Sequence, residues 1–167
     1  MLSATEIIKR LNLVPLPEEG GYYRETYRAS LEIEADGLPS YYAGPRCAST
    51  AIYYLLTPEE FSGMHRVRSD EVFHFYLGDP VEMLQLAPDG SSRVVVLGTE
   101  LHQGMELQVV VPAGVWQGAR LRAGGQYALL GATVAPGFEF ADFETGSFDT
   151  LVAQYPSQRT LLAALTR

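Results

Sequence analysis

Gly63-Met64-His65-Arg66-Val67-Arg68-Ser69-Asp70-Glu71-Val72-Phe73-His74-Phe75-Tyr76-Leu77-Gly78 is the stretch on which the reading of this chain turns. Alternate residues of a strand face opposite sides of a sheet. Glu71, Phe73, Phe75 and Leu77 therefore share one face, and Val72, His74 and Tyr76 share the other. The first set is apolar except for Glu71, so it is expected to line an interior. A carboxylate in such a place needs a cation, a metal or hydrogen-bond donors. His65 lies on the preceding run, and a hairpin turning at Arg68-Ser69-Asp70 would set it beside Glu71.

On both sides of this stretch the chain keeps the same texture. Short runs rich in Tyr, Phe, Val and Leu are separated by Gly, Pro, Asp and Ser from Gly20 to about Val134. Gly21–Arg28, Cys47–Leu56, Met64–Arg68, Glu71–Leu77, Val81–Ala87, Arg93–Leu97, Leu107–Val111, Trp116–Arg122 and Gln126–Val134 read as strands. Many short strands at close spacing point to a sandwich or barrel. Leu31 to Pro45 reads as a surface excursion. Helices are expected only near the ends. Ser3 and Glu6 form a capping box ahead of the Ile7, Ile8 and Leu11 stripe, and Asp149–Gln154 and Ser157–Leu165 look helical around Pro156. No Gly-rich loop opens a helix, which leaves a nucleotide-binding Rossmann reading without support.

Length and charge narrow the class. A chain of 167 residues suits one domain spanning 1–167 with one sizeable core. Its formal charge of −8 disfavours nucleic acid and anionic membranes as partners, and the arginines are scattered. One cysteine, Cys47, permits no intramolecular disulfide and reads as a buried thiol. The start MLSATEIIKR lacks the features of a signal peptide, and no apolar run approaches membrane-spanning length, so a cytoplasmic location is the expectation.

His65, Glu71 and Gly78 stand at the spacing of the first motif of the cupin superfamily, with Val67 at the position of that motif's second His. Pro112-Ala113-Gly114 resembles the second cupin motif, with Gln117 where its His would be. The chain resembles one uncharacterised cupin family over nearly its full length. The matching segments are Gly20-Gly21-Tyr22-Tyr23-Arg24-Glu25-Thr26-Tyr27-Arg28, Ser69–Tyr76 and Pro136-Gly137-Phe138-Glu139-Phe140-Ala141-Asp142-Phe143. The resemblance implies an all-β double-stranded β-helix, a jelly-roll barrel, with short terminal helices, and a homodimer. It implies no function.

Three readings of the site follow. The first is a small-molecule binding cupin, its ligand held inside the barrel near His65 and Glu71 and carbohydrate-like in character; Tyr and Trp with a few polar groups suit amphipathic ligands. Tyr23, Trp116, Gln117, His74 and Tyr76 are the ligand-binding candidates, with His74 and Tyr76 on the face away from the pocket and suited to a dimer interface as well. The second is a sugar epimerase or isomerase. Ser62-Gly63-Met64-His65 resembles the segment carrying the catalytic His of nucleotide-sugar epimerases, also cupins. His65 would be the base, Glu71 its orienting acid, and Tyr54, Tyr23 or Tyr76 the acid, among which the sequence does not choose. Arg24, Arg66 and Arg68 are the groups available for a pyrophosphate. The third is a metal-dependent enzyme with His65, Glu71 and Gln117 as ligands. One imidazole, one carboxylate and one amide leave positions for water, so a divalent ion is expected to bind only weakly. His102 is expected to be exposed, and Glu139, Asp142 and Glu144 to be solvated.

Overall fold

The computed structural model describes residues 2–167. In chain order the elements are α1 (Ala4–Leu11), β1 (Val14–Pro15), β2 (Tyr22–Arg28), β3 (Glu32–Ile33), β4 (Arg46–Cys47), β5 (Thr50–Leu56), β6 (Ser62–Arg66), β7 (Asp70–Gly78), β8 (Val81–Leu86), β9 (Ser92–Leu97), β10 (Gln108–Val111), β11 (Trp116–Leu121), β12 (Ala128–Ala135), β13 (Glu144–Thr145), α2 (Phe148–Gln154) and α3 (Arg159–Leu165). The strands form a six-stranded sheet, β1-β2-β5-β12-β7-β10, a five-stranded sheet, β13-β6-β11-β8-β9, and a two-stranded ribbon, β3-β4. Strands within each sheet pair antiparallel. The two sheets are not closed on each other; they form the open jelly roll expected from the alternation of short apolar runs and turns.

The inner faces meet in one core. Tyr54, Phe73, Phe75 and Leu130 of the larger sheet pack with Met83, Val95, Leu97 and Ala119 of the smaller. The helices cover outer faces. Ile7 of α1 packs with Leu55, Tyr127 and Leu129 behind the six-stranded sheet, and Leu151, Leu162 and Leu165 of α2 and α3 pack with Met64, Leu84 and Leu86 behind the five-stranded one. The capping box at α1 forms as expected, Ser3 Oγ accepting from the Glu6 amide while Glu6 accepts from the Ser3 amide.

Two expectations about the central stretch change. β6 and β7 are not a hairpin: they belong to opposite sheets, so the Val67–Ser69 connection carries the chain across the sandwich. His65 pairs with Gln117 of β11, and Glu71 with Val111 of β10 and Val134 of β12. Leu77 is 42% exposed rather than interior. The register between β7 and β12 shifts there, with Leu129 opposite Leu77 and Leu130 opposite Phe75. Tyr76 is the extra residue, and such a bulge inverts the in–out alternation beyond it.

The Pro136–Phe143 segment is bound to the barrel edge by polar contacts. The Gly137 amide donates to the Cys47 carbonyl, at 2.8 Å, and the Phe138 amide to Thr50 Oγ1, at 3.0 Å. Asp142, expected to be solvated, is buried. Its two oxygens accept from Arg46 Nε and Nη2 at 2.7 and 2.6 Å, and Arg46 is itself buried. The partners stand far apart in the chain, and no pattern along it reveals the pair. Glu144 does pair at the surface, with Arg66. Cys47 is buried as expected, and His102 exposed.

Removing one partner of a buried, bidentate pair strands the other charge, whereas exposed pairs contribute little. Asp142→Ala is expected to lower unfolding stability by about 3–5 kcal/mol, and Glu144→Ala by less than about 1 kcal/mol. Urea denaturation of the two variants beside the parent checks this; equal losses would contradict the assignment of Asp142 as an anchor.

Candidate functional site

Residues of both sheets and of the covering segment line a cavity of about 300 Å³. His65, Glu71, Tyr23 and Glu19 line it together with Phe138 and Phe143 of the covering segment. His65 comes from the five-stranded sheet and Glu71 from the six-stranded one, so they reach the same space from opposite walls. His65 is 2% and Glu71 8% exposed.

Each side chain is positioned by a local device. His65 Nδ1 lies 2.7 Å from the Gly63 carbonyl oxygen, an acceptor, so Nδ1 carries a proton and donates. In the neutral ring Nε2 then presents a lone pair. The Phe143 ring stacks on the imidazole, centroids 5.1 Å apart. Gln117 pairs with His65 along the sheet, and its Nε2 crosses to donate to Glu71 Oε2 at 2.6 Å. The Gln117 Oε1 atom is buried without a partner.

Glu19 arrives on the tight loop before β2. Gly20 and Gly21 hold φ of +96° and +72° there, a region that favours glycine. A Cβ on Gly20 would meet the Phe61 carbonyl oxygen, and one on Gly21 would meet the Tyr54 ring. The loop is fastened to β6 by the Gly63 amide, which donates to the Glu19 carbonyl. Glu19 Oε1 accepts from Ser62 Oγ at 2.8 Å, and its Oε2 lies 3.8 Å from His65 Nε2, too far for a hydrogen bond.

The Glu71 carboxyl is pushed up to about 7. Burial drives the rise, and the Glu19 charge adds to it, against the opposing pull of His65 and the Gln117 hydrogen bond. Near neutrality it can therefore give or take a proton.

The other expected residues fall elsewhere. Tyr54 is buried in the core, its hydroxyl donating to the Gly20 carbonyl at 2.9 Å, and burial holds its pKa well above the ordinary value. A Tyr so engaged is poorly suited to deliver a proton near neutrality. Trp116 packs outward against the cluster of α2 and α3, with Arg66 over its ring. His74 lies on the outer face of the six-stranded sheet, bonded to Gln108 and Thr133, and Tyr76 is half exposed there. Trp116, His74 and Tyr76 are thus remote from the cavity that Tyr23 lines, and Gln117 acts through Glu71. Glu19 gave no sign in the sequence. Arg28, Glu139 and the three phenylalanines Phe138, Phe140 and Phe143 lay inside the segments that carry the family resemblance, Glu139 as a solvated residue and the others with no site role.

The donor set is a poor fit to a tightly held metal. It offers one imidazole, Val67 stands where a second would be, and one Glu71 oxygen is occupied by an amide N–H. Among the described residues no three His, Cys, Asp or Glu side chains converge to hold an ion.

An inner cavity between two antiparallel jelly-roll sheets, with a His–Glu–Gln cluster at the positions of the two motifs, defines a cupin. The chain belongs to the family Cupin_5 of the cupin superfamily (DUF985), whose model matches residues 5–146. An uncharacterized protein of Saccharomyces cerevisiae is 30% identical over 132 residues, a match spanning 74% of this chain and 66% of that protein. A hypothetical protein from Leishmania major superposes with a TM-score of 0.88 at 33% identity, covering 99% of both chains. A protein from Shewanella oneidensis gives 0.86 at 33% identity, covering 100% of this chain and 99% of that one. Bacillus subtilis oxalate decarboxylase, at a TM-score of 0.54, 14% identity and 38% of its own length, shares the fold alone.

The raised Glu71 pKa has a consequence for stability. Its ordinary value is 4.5 and its folded value about 7, so the native state holds the proton more tightly across that window. Stability from this group is complete below the lower value and declines as pH rises to the upper one, by up to about 3 kcal/mol. Glu71→Gln removes that decline. Urea melts across the window are expected to show the variant gaining on the parent as pH rises, then a constant difference above it. Parallel profiles would contradict a buried, proton-holding Glu71.

Proposed function

We propose that the protein binds a small amphipathic organic molecule inside the barrel, its polar end at His65 and Glu71 and its body against the phenylalanines of the 136–143 segment. The observation that supports this most directly is that His65 Nε2 makes no hydrogen bond and Glu71 spends only one oxygen on the scaffold, while both open on one cavity. Polar atoms open on a cavity take hydrogen-bond partners from what fills it, and a bound small molecule would supply them in this reading. A cavity of about 300 Å³ lies at the lower end of small-molecule sites.

Sugar nucleotides suit this cavity poorly. Arg24, Arg66 and Arg68 do not line it, and Arg28, which does, is shared between Glu25 and Glu139. The manganese centres described for oxalate decarboxylase suit it no better, for want of imidazoles.

One observation favours proton transfer on the bound molecule. A carboxyl with a pKa raised to about 7 faces an imidazole whose Nε2, in the neutral ring, is free to accept. Such a pair can take a proton from carbon beside a carbonyl and return one from the other wall, the chemistry of an isomerase. In this reading the acid is Glu71 rather than Tyr54.

The test is thermal melting of the parent, His65→Ala and Glu71→Gln at neutral pH, with a small-molecule screen on each. Groups that face a hydrated cavity can be replaced at a cost below about 2 kcal/mol, whereas a structural pair would cost about 3–5 kcal/mol. Near-parental midpoints with loss of the stabilisation that a hit gives the parent are expected. Large drops in both midpoints with the ligand responses kept would mean that the pair is scaffolding.

A further inference from the structure

Three acceptor atoms of the lining are left free beside one group, the Tyr23 hydroxyl, that can both donate and accept. His65 Nδ1 is committed as a donor to Gly63, so in the neutral ring Nε2 is left as a lone pair. Glu19 Oε1 takes the Ser62 hydroxyl, leaving Oε2; Glu71 Oε2 takes the Gln117 amide, leaving Oε1. No side-chain donor of the lining is directed at these three atoms. Charge points the same way. The lining holds the carboxylates Glu19, Glu25, Glu71 and Glu139 against one guanidinium, Arg28, which Glu25 and Glu139 already share at 2.9 and 2.7 Å. The rest of the lining is mostly apolar, the phenylalanines Phe138, Phe140 and Phe143 beside aliphatic residues such as Leu16 and Ile52.

A ligand hydroxyl brings a single donor for three acceptors. A carboxylate or phosphate would add charge of the wrong sign. An ammonium group brings N–H donors only, a compensating charge, and attraction to aromatic faces. A bare divalent ion would need ligands closer together than these side chains stand.

We propose that the cavity selects a small organic ammonium compound, its N–H groups directed at Glu19, Glu71 and His65 Nε2 and its hydrocarbon part against the three phenylalanines. This rests on the reading of the cavity as a ligand site, and names the ligand's class.

Benzylamine, benzyl alcohol and benzoate share one ring and differ in the charge of the head group. Calorimetric titration of the full chain slightly above neutral pH is expected to show benzylamine binding at least about tenfold more tightly than benzyl alcohol, with no binding of benzoate. Glu19→Gln and Glu71→Gln should each weaken benzylamine about tenfold and leave benzyl alcohol unchanged. Thermal midpoints of both variants confirm that they are folded. Equal or tighter binding of benzyl alcohol or benzoate would overturn the ammonium assignment and leave the cavity a ligand site. Stoichiometric binding of Mn(II) or Zn(II) that displaces benzylamine would overturn it too. Binding of none of the three ring compounds would overturn both readings.

Discussion

The carboxyl group of Glu71 sits between two sheets with one hydrogen bond from Gln117 and an open cavity where further partners would be. Leaving a carboxylate there without full solvation or a cation is costly, and its pKa rises in response. The arrangement around it follows from that constraint. Gln117 comes from the facing sheet, so the bond joins the two walls. His65, beside Gln117 on the same sheet, supplies the opposing ring. The glycine loop brings Glu19 to the rim, which adds a second carboxylate and raises the first further.

The two walls are held by different means. Apolar burial fixes the interior end, where Phe73, Phe75, Met83 and Leu97 interdigitate and exclude water. The cavity end cannot be held that way without filling it. There the covering segment is fastened by the Arg46–Asp142 pair, by Arg28 bridging Glu25 and Glu139, and by its amides donating to the Cys47 carbonyl of β4 and the Thr50 hydroxyl of β5. Phe143 stands at the junction, one residue from Asp142 and stacked on His65. A change at the anchor therefore reaches the imidazole through one ring.

Much of this was legible along the chain. The strand runs, the end helices, the two cupin motifs and the unusual position of Glu71 are local, and local pattern reports them. What failed is what depends on distant or interrupted register. The bulge at Tyr76 turned Leu77 outward, and the crossing between sheets placed His65 opposite Glu71 rather than beside it. Trp116 and Gln117 were equal candidates because alternation says that one of two neighbours faces inward, not which; the structure turns Gln117 in. Tyr54 was one of three tyrosines eligible as the acid, and its hydroxyl proves to be committed to Gly20. Glu19 and the Arg46–Asp142 pair depend on loops meeting across the fold, and nothing periodic marks them.

The central claim is that His65 and Glu71 address a molecule held between them rather than each other. A high-resolution crystal map of the protein as purified, read in the space between His65 Nε2 and Glu71 Oε1, tests it most directly. The account predicts an open cavity with a bound molecule or ordered water hydrogen-bonded to both atoms, and Gln117 still joined to Glu71. A direct hydrogen bond between the imidazole and the carboxyl, with Phe143 packed into the space between the sheets, would contradict it.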